Sequence, residues 1–233
     1  YTLRIDQIDM ASRFWTWLHK KGSPPVFYAM ADRWAPWLGV LSFVALAVGL
    51  FGGLVLAPTD YQQADSYRII YIHVPSAWMS MFVYMFMAAM AAVGMIWRLK
   101  VADTMALVAA PIGALMTALA LITGSIWGKP TWGTWWVWDA RLTSVLILFF
   151  LYLGYMALWA TIEEPVRAAR AAAVLALVGF VNVPIIHYSV EWWNTLHQGA
   201  SVLRLDGPAI HPSMLWPLLV MALGSTFFFL AVM

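Results

Sequence analysis

The chain contains no cysteine. That absence removes structural disulfides, thiolate metal sites, a C-x-x-C redox pair and thioether attachment of a prosthetic group from its own chemistry. Charge is also scarce: only 10% of the 233 residues are Asp, Glu, Lys or Arg, against roughly 25% in soluble domains. With 63% of residues hydrophobic, the class is integral membrane protein. A net charge of +2, scattered along the chain rather than gathered on a reading helix, gives no footing for nucleic acid. The sequence has no ATP-binding loop and no repeat of fixed period. The first 33 residues are too polar to form the apolar core of a cleavable signal peptide. Because it opens at Tyr1 without an initiator Met, a few native residues are expected before it, and because it stops at Met233 inside an apolar run, a cytoplasmic tail is expected beyond it.

What the sequence has in plenty is apolar length. Trp34 to Thr59, Val74 to Trp97, Thr104 to Gly128, Leu142 to Ile162, Ala171 to Val190 and Pro212 to Met233 are uncharged, and each reaches the roughly 20 residues a helix needs to cross a bilayer. The fold class expected is an all-α bundle of six transmembrane helices, residues 34–233, with both ends on one side. Pro111, Pro184 and Pro217 fall inside these runs, where membrane helices tolerate kinks. Residues 1–33 mix Arg4, Arg13, Lys20, Lys21 and Arg33 with Phe14, Trp15, Trp17, Phe27 and Tyr28, the composition of an interfacial segment on the inner leaflet.

The 13 Lys and Arg residues set the orientation. With the amino end inside, nine lie on inner segments and Arg68, Lys129, Arg141 and Arg204 on outer ones, the bias that cytoplasmic loops carry. The inner connections are short, whereas the outer ones, about 57–72, 126–140 and 188–211, are long. His73, His187, His197 and His211 all fall at or near the outer face, so function is expected there.

One segment, Trp127 to Ser144, dominates that face. Trp127, Trp132, Trp135, Trp136 and Trp138 are five of fifteen tryptophans, and they lead through Asp139 and Arg141 into an apolar helix. Gly128, Pro130 and Gly133 predict that this loop, about 126–143, does not begin as a regular helix. Indole faces beside a guanidinium suit a flat, largely apolar ligand with an anionic edge, and haem has that form. Its iron takes neutral imidazoles as axial ligands. His73 opens the second span, and His197 sits in a polar context open to a pocket. His187, after Pro184 and two isoleucines, reads as more buried and suited to a hydrogen-bonded supporting role. His211 reads as a loop residue. On one continuous helix His187 and His197 would stand about 15 Å apart, too far to share an iron. Arg141 and Arg68 are the candidate partners for propionates, with Lys129 and Arg204 ranked below them; Asp139 is expected to orient Arg141. Isolated tryptophans such as Trp78, Trp97 and Trp159 read as interfacial belt or packing.

Trp132 to Thr143, WGTWWVWDARLT, resembles the tryptophan-rich WWD motif of the haem-handling membrane proteins used in cytochrome c maturation, with every fixed position filled. DYQQADSYRIIYIHVPSAW, PIGAL, GSIWGKP and VPIIHYSVEWWNTLHQG extend the likeness to the six-span CcmC family from Trp34 to about Gly199. That resemblance implies haem b bound transiently at the periplasmic face of the bacterial inner membrane. The WWD loop would be its platform, His73 and His197 its axial ligands. It implies delivery to the haem chaperone CcmE, with the small membrane protein CcmD and the ATPase subunits CcmA and CcmB as further partners. In such a protein presentation and transfer of haem replace a catalytic residue set.

Three other readings start from the same residues. A membrane cytochrome b would place paired histidines within the spans, where only His187 is a candidate. A haem transporter would need a polar path, for which Asn182 is the main candidate. A scaffold for an ATPase complex would carry no haem.

Overall fold

The computed structural model describes residue 16 and residues 23–233, apart from 200, 203 and 205. Most of the expected interfacial segment therefore lies outside the described residues. From Pro24 onward the chain is already helical. The helices are α1 (Pro24–Phe51), α2 (Ile70–Trp97), α3 (Lys100–Trp132), α4 (Ala140–Thr161), α5 (Pro165–Gly179), α6 (Asn182–Trp192) and α7 (Pro212–Val232). Since α5 and α6 share one crossing, six helical units are long and apolar enough to span a membrane, as the sequence predicts.

The ends differ from expectation for a simple reason: apolar runs report what lies in hydrocarbon, not where a helix stops. α1 starts at Pro24, ten residues before the apolar run, because Pro24 and Pro25 fill a first turn whose N–H groups have no helical partner anyway. α3 is 33 residues long, about 50 Å at 1.5 Å per residue against roughly 30 Å of hydrocarbon. It is therefore longer than an upright crossing requires. α1 loosens into a π-turn over Gly52–Leu56. The Arg68 guanidinium, on the 3-10 turn Asp65–Ile69, donates to the Gly53 carbonyl at 2.8 Å.

Packing follows small residues, as in other membrane bundles. α1 meets α7 where Gly49 lies against Met221 and Gly224 against Leu46, and the Ser42 hydroxyl donates to the Gly224 carbonyl at 3.0 Å. α2 and α3 form a hairpin through Arg98, at φ 55°, and Leu99. Between α2, α3 and α4 lies a buried aromatic core: Tyr84 and Tyr152 pack edge to face, and Tyr152 donates to the Ser80 carbonyl at 2.7 Å while its ring covers Gly113. The α5–α6 crossing breaks at Phe180 and Val181, just ahead of Pro184. There Asn182 donates to the Ser144 carbonyl at 2.8 Å. Its amide is thus engaged by α4 rather than lining a path, and buried Ser76, Ser80, Thr117, Ser189 and Ser225 bond carbonyls of their own helices.

The connections at one end of the bundle, Arg98–Leu99 and Ile162–Glu164, are short. The long ones, 57–64, 133–139 and 193–211, gather at the other end around the top of α3.

Candidate functional site

The tryptophan segment starts on a helix, contrary to the sequence expectation. α3 runs through Gly128 and Pro130 and stops only at Gly133, whose φ of +78° a side chain would resist. Pro130 removes the donor that would meet the Ile126 carbonyl, and the Thr131 hydroxyl beside it donates to the Trp127 carbonyl at 2.8 Å. Lys129 closes the helix end by donating Nζ to the Gly133 carbonyl at 3.1 Å. The chain then turns back: the Ser125 hydroxyl donates to the Trp135 carbonyl at 2.8 Å, and the Thr134 carbonyl passes close over Gly128. Trp127 and Trp132 accordingly stand on a rigid stalk, about 7.5 Å apart along its axis. Trp135, Trp136 and Trp138 sit on the returning loop, where Trp136 meets Trp138 edge to face and Trp138 is 76% exposed.

His73 lies in the first turn of α2 and faces α3. Its ring meets Trp127 edge to face at 5.7 Å. Its Nδ1 is 3.1 Å from the Thr123 hydroxyl. A Cβ placed on Gly124 would come within 2.8 Å of Cε1 of the imidazole, so the ring occupies space that only glycine leaves open. Trp127 is fixed in turn by donating Nε1 to Gln63 at 2.8 Å. Thr123 carries no motif signal; Gln63 and Gly124 fall within segments that resemble the family, and Gly124 precedes Trp127 by three residues and so shares its helix face.

His197 comes from a different element, the irregular chain after α6. That helix ends at Trp192, and Trp193 is extended (φ −134°, ψ 157°), so His187 and His197 are not on one helix. The His197 ring lies 4.8 Å from Trp132. Asp139 holds its segment in place: Oδ1 accepts from the Leu142 N–H at 2.7 Å, capping α4, and Oδ2 accepts from the Leu196 N–H at 3.3 Å. Nδ1 of His197 and Nε1 of Trp136 are buried without a hydrogen-bond partner. Burial, followed by the Arg141 guanidinium, pulls the His197 imidazole down from its ordinary 6.5 to about 4, against a smaller upward pull from Asp139. His73 is also close enough to contribute, so both imidazoles, Arg141 and Asp139 share one electrostatic neighbourhood.

Among the four cations near this end, the structure distinguishes one. Arg68 is spent on Gly53, on Asp65 at 3.0 Å and on the Tyr67 ring. Lys129 caps α3, and Arg204 pairs with Asp206. Arg141 donates one Nη1 hydrogen bond, to the Ile186 carbonyl at 3.2 Å, which leaves most of its donors for a ligand. Among the described residues no ion pair joins Arg141 to Asp139, whose carboxylate caps α4 and secures the loop instead. His187 is exposed rather than buried: the buried positions of α6 are Asn182, Val183, Ile186 and Ser189, and the next residue after Ile186 turns about 100° off that face. His211 is the N-cap of α7, with Nδ1 accepting from the Ser213 N–H at 3.3 Å.

Two imidazoles set against indoles of one helix end, one of them with a buried nitrogen that has no hydrogen-bond partner, suit an iron that brings its own macrocycle. The partly committed guanidinium suits an anionic edge. Residues 17–233 match the family model described as Heme exporter protein C. The chain is 56% identical over 207 residues to the Heme exporter protein C of Bradyrhizobium diazoefficiens, covering 89% of this chain and 78% of that protein. It is 53% identical over 204 residues to the Escherichia coli protein of the same name, covering 88% and 82%. It is also 44% identical over 207 residues to a putative cytochrome c biosynthesis ccmC-like mitochondrial protein of Marchantia polymorpha, covering 89% and 87%. With its six membrane-spanning helices and its WWD segment, this chain belongs to the CcmC family of haem exporter proteins, haem-handling components of cytochrome c maturation.

Proposed function

We propose that this chain binds haem b transiently at the end of the bundle capped by the WWD segment and presents it to the chaperone CcmE. His73 and His197 are the axial ligands in this reading. Trp127, Trp132, Trp135, Trp136 and Trp138 are the walls, and Arg141 is the propionate partner. Asp139 acts on the ligand chain through Leu196, and Arg68 supports the site through the π-turn, with what remains of its guanidinium at the rim. The site end is periplasmic and both termini are cytoplasmic, following the distribution of Lys and Arg. CcmD, CcmA and CcmB are the expected membrane partners, by family resemblance. When bound, the haem supplies its own redox and ligand-exchange chemistry; this chain's residues bind it, orient it and keep both axial positions filled.

The observation that carries this reading is that His73 and His197, from different elements, each lie against a tryptophan of one helix end, Trp127 and Trp132. The test is the visible spectrum of detergent-purified His73→Ala and His197→Ala proteins. Each is expected to lose the low-spin bis-imidazole bands, and their retention by both overturns the ligand pair. Since the chain has no cysteine, a Trp138→Cys variant also reads the orientation. An impermeant maleimide is expected to label it from the periplasm; labelling only after the inner membrane is opened reverses the topology.

A further inference from the structure

The His73 side of the site carries a device that neither the WWD motif nor the family resemblance assigns. On α3, the Thr123 hydroxyl lies 2.5 Å from the Leu119 carbonyl, a bond in which only the hydroxyl can donate. A threonine hydroxyl has one proton. With that proton committed to Leu119, the oxygen meets Nδ1 of His73, 3.1 Å away, with lone pairs alone. The nitrogen must then be the donor. The Ala120 carbonyl, one turn below Gly124, also faces this ring and likewise can only accept. Gly124 completes the seat: measured from the position its Cβ would take, Cε1 is at 2.8 Å, Nδ1 at 3.4 Å and Nε2 at 3.8 Å, so Nε2 is the ring nitrogen turned farther from the helix wall.

We propose that Thr123 is a positioning residue that holds His73 in its Nδ1–H tautomer and thereby presents the Nε2 lone pair to iron. The inference rests on the reading of His73 as an axial ligand. A neutral imidazole has one lone pair, and a fixed proton on Nδ1 puts it on Nε2 before any ligand arrives. Outer partners of this kind orient the ring and raise its basicity, and their loss typically costs roughly 10- to 100-fold in metal affinity.

The test uses the full chain in nanodiscs. In haem-free protein labelled with nitrogen-15 histidine, the His73 ring is expected to show a protonated Nδ1 and an unprotonated Nε2, and the reverse pattern overturns the proposal. Thr123→Val keeps the shape and removes the oxygen, whereas Thr123→Ser keeps the oxygen. Titrated with ferric protoporphyrin IX, the Val variant is expected to bind roughly 10- to 100-fold more weakly and to show a high-spin component absent from wild type. The Ser variant is expected to restore both the affinity and the spectrum. Equal binding and spectra for Val and wild type overturn the positioning role. His73→Ala in the same series separates the two claims. If it keeps the wild-type spectrum the ligand reading fails; if it loses that spectrum while Thr123→Val does not, only the tautomer device fails.

Discussion

The two halves of the site are built by different means. His73 sits between two packed helices, against Trp127, over a glycine that leaves room for its ring and beside a hydroxyl at 3.1 Å. His197 sits on irregular chain, held locally by hydrogen bonds with Thr195 and tied to α4 through the Leu196 N–H on Asp139 at 3.3 Å, with Nδ1 buried and unpaired. A permanent haem protein gains from fixing both ligands, because preorganisation lowers the cost of binding. A protein that must give its cargo away gains from one fixed ligand and one that can leave. The asymmetry therefore suits a carrier, with release expected to begin on the His197 side.

The largest effect expected from this contrast is in chemical rescue. Removing either imidazole as His73→Gly or His197→Gly should abolish the low-spin spectrum. Added imidazole should restore it in the His197 variant, whose position opens onto loop. The His73 variant should need at least about tenfold more, the ratio given by roughly 1.4 kcal/mol of poorer access, because α2 and α3 close over the vacancy. Equal rescue curves would erase the distinction between the two sides.

Next in size is Gly124→Ala. Alanine favours a helix over glycine by about 1 kcal/mol, while overpacking against the His73 ring costs about 1–3 kcal/mol. The thermal midpoint of haem-free protein should therefore move little or fall modestly. Haem binding should fall much more, since the ring cannot keep its place with a methyl group 2.8 Å from Cε1. A variant with wild-type spectrum and affinity would show that the His73 side is less rigid than its packing suggests.

Asp139 gives a smaller effect that can be divided. Asp139→Ala removes both the α4 cap and the tie to Leu196, and should cost about 1 kcal/mol of stability from the cap. Asp139→Asn keeps a carbonyl for the Leu142 N–H but turns an amide toward Leu196, so the cap survives and the tie does not. Hydrogen exchange should then quicken at residues 193–199 in both variants, with the thermal midpoint lowered only for Ala. If the Asn variant keeps slow exchange there, the loop is held by something other than this carboxylate.

How far the sequence could be read depended on the range of each interaction. The six crossings were legible because twenty apolar residues are their own signal. The helix ends are not: Gly128, Pro130 and Gly133 predict a break, yet α3 continues through Gly128 and Pro130 and stops only at Gly133. The immediate neighbours of His187 suggest burial, whereas the residue is exposed. The pattern Asn182, Val183, Ile186, Ser189 already describes a helix face that excludes it. The clustering of the tryptophans beside Arg141 is visible in the sequence itself. The contacts that organise them join residues 50 positions apart, as from His73 to Thr123, or 57 apart, as from Leu196 to Asp139, and no local pattern records such pairs.

The smallest effect expected is in acid, and it belongs to the His197 side. Burial, helped by Arg141, holds His197 neutral down to about pH 4, whereas a histidine in unfolded chain takes a proton near 6.5. Between those values the unfolded state binds a proton that the folded state refuses. The contribution of His197 to stability is thus fully present above about 6.5 and is lost as pH falls through that window toward 4. Haem-free wild-type protein should lose more of its thermal midpoint between pH 7 and 5 than a His197→Gln variant, which has nothing to titrate at that position. Parallel losses would mean that the imidazole meets water in the folded loop, and that the His197 side is open before any ligand arrives.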